Sequence, residues 1–132
     1  MIVVDASVAV TWVYDDESDA RADAALREVI EGGGLVPQHW HLEVRNALLI
    51  GERRGRITPD EIRERLSGLD ELSLRTDADP DLGEALELAR LHNLSFYDAI
   101  YLELARRRQA ALTTLDGRLS RAALAEGLQT LP

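Results

Sequence analysis

Ser95 and Asp98 stand three residues apart in Leu94-Ser95-Phe96-Tyr97-Asp98-Ala99-Ile100-Tyr101, a stretch opening a run too apolar for a surface helix. A hydroxyl at the N-cap and an acid at N3 is the capping-box spacing, so a cap accounts for Asp98 taken alone. Asp5 ends Met1-Ile2-Val3-Val4 and precedes an apolar helix over residues 7–14. An N-cap accounts for it equally well. Asp116 closes Ala111-Leu112-Thr113-Thr114-Leu115 as Asp5 closes the first run. Glu43 borders a helical apolar stripe of Trp40, Val44, Ala47, Leu48 and Gly51, where a solvated or i,i+4-paired acid is the ordinary case. Their chemistry changes if they meet. Carboxylates clustered without a cation repel, and their pKa values rise. A divalent cation removes that penalty. Carboxylate and water ligands suit Mg2+ or Mn2+, which can activate water against a phosphate. His39 and His41 flank Trp40, but two apart on a helix they face different sides and make no metal pair.

The elements decide whether the acids can meet. Residues 1–4 are β-branched without alternation, as a buried parallel strand requires. After an acidic turn over residues 15–19, a helix is expected from about 18 to 30, stopped by Gly32-Gly33-Gly34. Residues 35–37 form a second strand and about 39–54 a helix. Thr58-Pro59-Asp60-Glu61 starts another helix, ending near 72, with N-cap, N1 proline and N3 acid in place. Residues 72–76 alternate as an edge strand, and about 80–92 form a helix. The helix headed by Ser95 closes at Arg106-Arg107-Arg108, where cations suit the dipole. Residues 111–115 are the fourth strand, 119–125 a last helix and 128–131 a final strand. Strands alternating with helices predict an α/β fold, a three-layer sandwich with a central parallel sheet of about four to five strands. Residues 1–132 then make a single domain. Strand C-termini share one edge, the ligand-binding edge of such sheets. Asp5 and Asp116 meet there, and Asp98 heads the helix that feeds the Asp116 strand.

Composition narrows the function. The net charge of −9 argues against broad nonspecific nucleic-acid binding. All 15 basic residues are arginine. Without lysine there is no P-loop lysine and no Schiff base, so phosphate recognition falls to arginine, backbone N–H groups or a metal. With no cysteine there is no disulfide or thiolate site. The uncharged run over residues 6–14 is too short to span a membrane and lacks a basic leader, so a soluble, cytoplasmic chain is expected. Two rival classes share an acid after the first strand. A phosphatase with Asp5 as nucleophile needs a second Asp two residues on and a lysine; Ser7 stands there instead. A non-catalytic acidic-pocket binding module of the receiver kind also uses a lysine.

Four stretches together resemble the PIN-domain family, most closely the VapC-type toxins of bacterial toxin–antitoxin pairs. They are Ile2-Val3-Val4-Asp5-Ala6-Ser7, Val36-Pro37 with Glu43-Val44-Arg45-Asn46-Ala47-Leu48, the Asp98 stretch, and Leu112-Thr113-Thr114-Leu115-Asp116-Gly117-Arg118-Leu119. The resemblance spans nearly the whole chain. It implies a metal-dependent endoribonuclease using Mg2+ or Mn2+ on single-stranded RNA, a homodimer held by a VapB-type antitoxin. It assigns Asp5, Glu43, Asp98 and Asp116 to the metal site, Ser7 and Thr114 to the small hydroxyls beside the first and last acids, and Asn46 to a polar place one turn after Glu43. Arg118 stands where some relatives have a further acid. Arg118, the cluster Arg53, Arg54 and Arg56, and the run Arg106 to Arg108 are the candidate RNA contacts. Taken singly, each reads as a solvated helix end.

Overall fold

Ile2, Val3 and Val4 form β1 (Ile2–Val4), buried throughout. The computed structural model describes residues 1–14 and 16–131. After β1 come α1 (Ala6–Val13), α2 (Ala20–Gly32), β2 (Gly34–Pro37), α3 (Gln38–Arg53) and α4 (Pro59–Asp70). The chain continues through β3 (Leu74–Asp77), α5 (Leu82–His92), α6 (Phe96–Arg108), β4 (Ala111–Thr113) and α7 (Gly117–Ala125). The acidic turn expected from Asp15 begins outside the described residues. These elements fall where the sequence places them, with ends shifted by at most two residues. Gly33, not Gly32, ends α2: it takes φ 77° and its N–H reaches the Val29 carbonyl. The Thr58–Glu61 capping box forms in full.

The four strands pair in parallel in the order β3-β2-β1-β4. The chain steps one way from β1 to β3 and then returns across the sheet to β4. Right-handed crossovers therefore put α1 to α4 on one face and α5 and α6 on the other. The packing agrees. α2 lies against β1 and β4; α6 lies against β1, β2 and β4, with α5 and α7 beside it. This is the expected three-layer sandwich. The direction of winding reverses between β1 and β4, and their C-terminal ends mark the topological switch point where open α/β sheets bind ligands.

The final strand expected over residues 128–131 does not form. Only one parallel bridge, Leu112 to Thr130, joins that segment to β4, with Leu112 N–H donating to the Gln129 carbonyl at 3.0 Å. Gly127, at φ 78°, turns the chain after α7.

α6 is the central helix. Every residue from Ala99 to Ala105 is buried, and Leu102 and Leu104, at 0% exposure, each contribute roughly 1.5–3 kcal/mol by leaving water. One of the buried residues is Glu103. Arg107 neutralises it, with Nε donating at 2.7 Å, and reaches both carboxylate oxygens of Asp77 at the end of β3. Arg106 pairs with Glu84 and Glu126. Arg106 and Arg107 thus clamp α6 to α5, to the end of α7 and to the sheet edge.

Candidate active site

Asp5 occupies the N-cap position of α1, yet its side chain makes no cap bond. Its carboxylate turns instead to two hydroxyls. Ser7 Oγ donates to Oδ2 at 2.6 Å and Thr114 Oγ1 donates to the same oxygen at 2.8 Å. Each hydroxyl is aimed from behind. Ser7 Oγ accepts from the Leu115 N–H at 3.1 Å, and Thr114 Oγ1 from the Asp116 N–H at 3.0 Å. The β1–α1 and β4–α7 turns are thereby tied together through one carboxylate. At 5% exposure Asp5 is the deepest acid of the set. Burial pushes its carboxyl above the usual range, the Ser7 and Thr114 hydrogen bonds pull it back, and the Asp116 charge adds to the rise.

Glu43 approaches from the second turn of α3. Tyr101 O–H donates to its Oε1 at 2.7 Å, and His39 Nε2 stands 3.4 Å from that oxygen without alignment for a hydrogen bond. Burial, then the Asp5 charge, hold the Glu43 carboxyl high against the Tyr101 bond. Asp98 is in the first turn of α6, where Ser95 is the cap: its hydroxyl accepts the Asp98 N–H at 3.1 Å. The Asp98 carboxyl is raised by burial, then by Asp5, Asp116 and Glu43 in turn. One side chain thus feels the other three acids. Asp116 is exposed and does cap its helix, accepting the Leu119 N–H on Oδ1 at 3.0 Å.

The four acids are coupled through their charges without closing on one another. Among the described residues no group of three or more histidine or acidic side chains is close enough to hold a metal by itself, and no arginine pairs with Asp5 or Asp98. Carboxylates kept apart by repulsion take that arrangement without a cation. The donor set is all hard oxygen, and Mg2+ ordinarily keeps several waters and takes only one or two carboxylates. The four acids are donors of the kind such an ion takes, and Asp5 is the most firmly held of them.

Two side chains the sequence did not single out belong to this site. Tyr101 is fully buried; its O–H binds Glu43 and its oxygen accepts the Ala6 N–H at 3.3 Å. Burial, then the Asp5 and Glu43 charges, drive its phenol far above the ordinary value. The His39 ring meets Tyr101 edge-on at 4.9 Å and Tyr97 at 5.5 Å, and burial holds its imidazole below the usual value. His41 turns the other way, to Thr76 Oγ1 at 2.8 Å, so the two histidines diverge as their spacing predicts. Asn46 is exposed one turn beyond Glu43. Arg118 donates to the Asn93 carbonyl at 3.2 Å, at the end of α5. Arg53 and Arg54 are exposed at the far end of α3, roughly 15 Å along the helix axis from Glu43. Arg56 pairs with Asp16 and Glu17.

Comparison with known proteins follows the same outline. The family model described as PIN domain matches residues 2–124. A ribonuclease named VapC3, from Pyrobaculum aerophilum, is 32% identical over 123 residues, covering 90% of this chain and 92% of the relative. The crystal structure of PAE2754 from the same organism superposes with a TM-score of 0.75 at 24% identity, covering 98% of this chain and 87% of that one. VapC20 of Mycobacterium tuberculosis, a toxin that cleaves the sarcin–ricin loop, gives 0.66 at 22% identity, covering 92% and 95%. FitAcB from Neisseria gonorrhoeae gives 0.61 at 16% identity, covering 100% and 97%.

Proposed function

The chain belongs to the PIN-domain family, and from that premise we propose that it is the endoribonuclease toxin of a toxin–antitoxin pair. Its substrate is single-stranded RNA and its cofactor Mg2+ or Mn2+. The observation that carries this reading is the convergence of acids at the switch point of the sheet, where Asp5 is held by Ser7 and Thr114 and the Asp98 carboxyl is raised by burial and then by Asp5, Asp116 and Glu43. Asp5, Asp98, Asp116 and Glu43 would hold the cation. When bound, the cation would lower the pKa of a coordinated water and neutralise charge building on the phosphate. The Ser7 and Thr114 hydroxyls hold Asp5 in place and favour its ionised form against the effect of burial. Glu43 or Asp98, both with carboxyls above the ordinary range, takes the proton of the attacking water. In-line attack leaves a 5′-phosphate and a 3′-hydroxyl.

The rival phosphatase reading fits poorly. Ser7 occupies the place of the second Asp, and the chain has no lysine to hold the phosphate. For the partner, the groove of about 510 Å3 among Trp12, Val13, Leu26, Leu69 and Leu72 offers apolar surface to an antitoxin segment, while the acids would accept an arginine from it. Exposed Leu42, Leu49 and Ile50 on α3 support a homodimer. A cytoplasmic place fits a chain without cysteine in which no helix of the described residues is long and apolar enough to cross a membrane. The direct test is incubation of the purified chain with single-stranded RNA. Cleavage should require Mn2+ or Mg2+, stop in EDTA and fall by orders of magnitude in Asp98→Asn. Cleavage that survives EDTA, or that the variant retains in full, would remove the four-acid site; metal binding without cleavage would leave a binding module.

A further inference from the structure

A glutamate on a helix has three side-chain torsions, and the Glu43 side chain is 40% exposed, so its place on α3 does not fix its carboxylate. Tyr101 does. Its ring is packed on all sides, at 0% exposure in the central helix. Its hydroxyl makes two bonds: it donates to Glu43 Oε1 at 2.7 Å and accepts the Ala6 N–H at 3.3 Å, from the residue after Asp5. Tyr101 also lies three residues after Asp98 on one face of α6. A single ring thus spans the three segments that carry Asp5, Glu43 and Asp98. His39 closes the other side, with its ring 4.9 Å from that of Tyr101 and Nε2 3.4 Å from the same Glu43 oxygen. Both neighbours face Oε1, which leaves the second carboxylate oxygen as the one that can turn to a cation or its water.

We infer that Tyr101 is a positioning residue for Glu43, its O–H holding Oε1 so that the free oxygen faces the space between Asp5 and Asp98. The inference rests on the metal-site reading above. The competing account is a core tyrosine that merely finds an acceptor for a buried hydroxyl.

Tyr101→Phe removes the hydroxyl and keeps the ring. Mn2+ binding should be measured by calorimetry on wild type, Tyr101→Phe, Glu43→Ala and the double variant, with melting temperatures of each in EDTA. Outer-shell partners of metal ligands commonly carry tenfold or more in affinity, so Tyr101→Phe should weaken Mn2+ binding about tenfold when Glu43 is present. In the Glu43→Ala background its effect should fall below about twofold, because a positioning role acts only through its target. Equal losses in both backgrounds, or no loss in either, would leave a core tyrosine. A wild type that binds no Mn2+ would remove the metal site itself, and the positioning role with it. If Tyr101→Phe does not fold, the Tyr101 13Cζ resonance decides. It should move in Glu43→Ala and on Mg2+ addition to wild type, and a resonance indifferent to both overturns the inference.

Discussion

Asp5, Glu43 and Asp98 all have carboxyls raised in the folded protein, chiefly by burial, and this fixes the sign of a pH effect. Above the unfolded carboxylate value of about 4, the folded state binds these protons more tightly than the unfolded chain, so stability falls as pH rises through the folded values. Asp77, lowered first by its Arg107 hydrogen bond, acts in the opposite sense and below that window. His39 and His41 are lowered by burial; they add stability as pH rises toward about 6.5 and partly mask the effect. A difference measurement removes them. Asp98→Asn keeps the Ser95 cap, because the cap accepts the backbone N–H of residue 98. In EDTA, the stability of wild type relative to Asp98→Asn should be lower at pH 7.5 than at pH 4.5, and Mn2+ should reverse the difference at pH 7.5. A difference that is flat or rises in EDTA would mean that Asp98 carries no strain from its neighbours. The acids themselves were legible, since each closes a strand, heads a helix or borders a stripe. That Asp5 would shun its cap was not, because the two hydroxyls that divert it come from opposite ends of the chain. Tyr101 read as core in an apolar run. The available signals were its i,i+3 spacing from Asp98 and the i,i+4 spacing of His39 from Glu43.

Helices α1 and α3 meet where Gly51 faces Tyr14. A Cβ at Gly51 would overlap the Tyr14 hydroxyl, which donates to the Ala47 carbonyl at 3.0 Å, while the Arg56 guanidinium lies over the ring at 4.1 Å from its centroid. Gly51→Ala gains about 1 kcal/mol of helix propensity. It also forces the ring aside, at about 1–3 kcal/mol for overpacking plus about 1 kcal/mol for the lost hydrogen bond. The clash should win, with a net loss of about 1–3 kcal/mol in urea unfolding. Tyr14→Phe in the same chain should recover part of it; no recovery would place the cost elsewhere. The β4–α7 junction offers a second comparison. Asp116 caps α7 through Oδ1, so Asp116→Ala should cost about 1 kcal/mol that Asp116→Asn does not, although both lose the charge. Equal unfolding midpoints for the two would refute the cap. The sequence marked Gly51 as part of the stripe facing the core, and the Thr58 box and the parallel strands were equally open to reading, since local spacing alone specifies them. The absent final strand was not, because one hydrophobic residue in two over four residues does not reveal whether a partner edge is within reach.

The charge of the whole molecule sets the conditions for RNA binding. At −9 the chain repels RNA at long range, so the proposed RNA binding would rest on a few local cations and on the proposed metal. Most clusters of arginine are consumed by the fold: Arg56 by Asp16 and Glu17, Arg106 by Glu84 and Glu126, Arg107 by Asp77 and Glu103. Arg53 and Arg54 are exposed and show no ion pair among the described residues. They lie beyond the acids along α3, a distance that a few nucleotides of extended RNA would span. Replacing both with alanine takes the net charge from −9 to −11 without touching an ion pair. In the Asp98→Asn background, which keeps the RNA intact, this change should weaken binding several-fold at low salt. Each phosphate contact on a single strand contributes about 0.7 to the slope of log K against log salt, so the slope should shrink by about 1.4 if both arginines touch the backbone. A shrinkage near 0.7 would assign one contact. An unchanged slope together with unchanged affinity would return both residues to the solvated surface and leave the acids, with their cation, as the sole attachment for the phosphate.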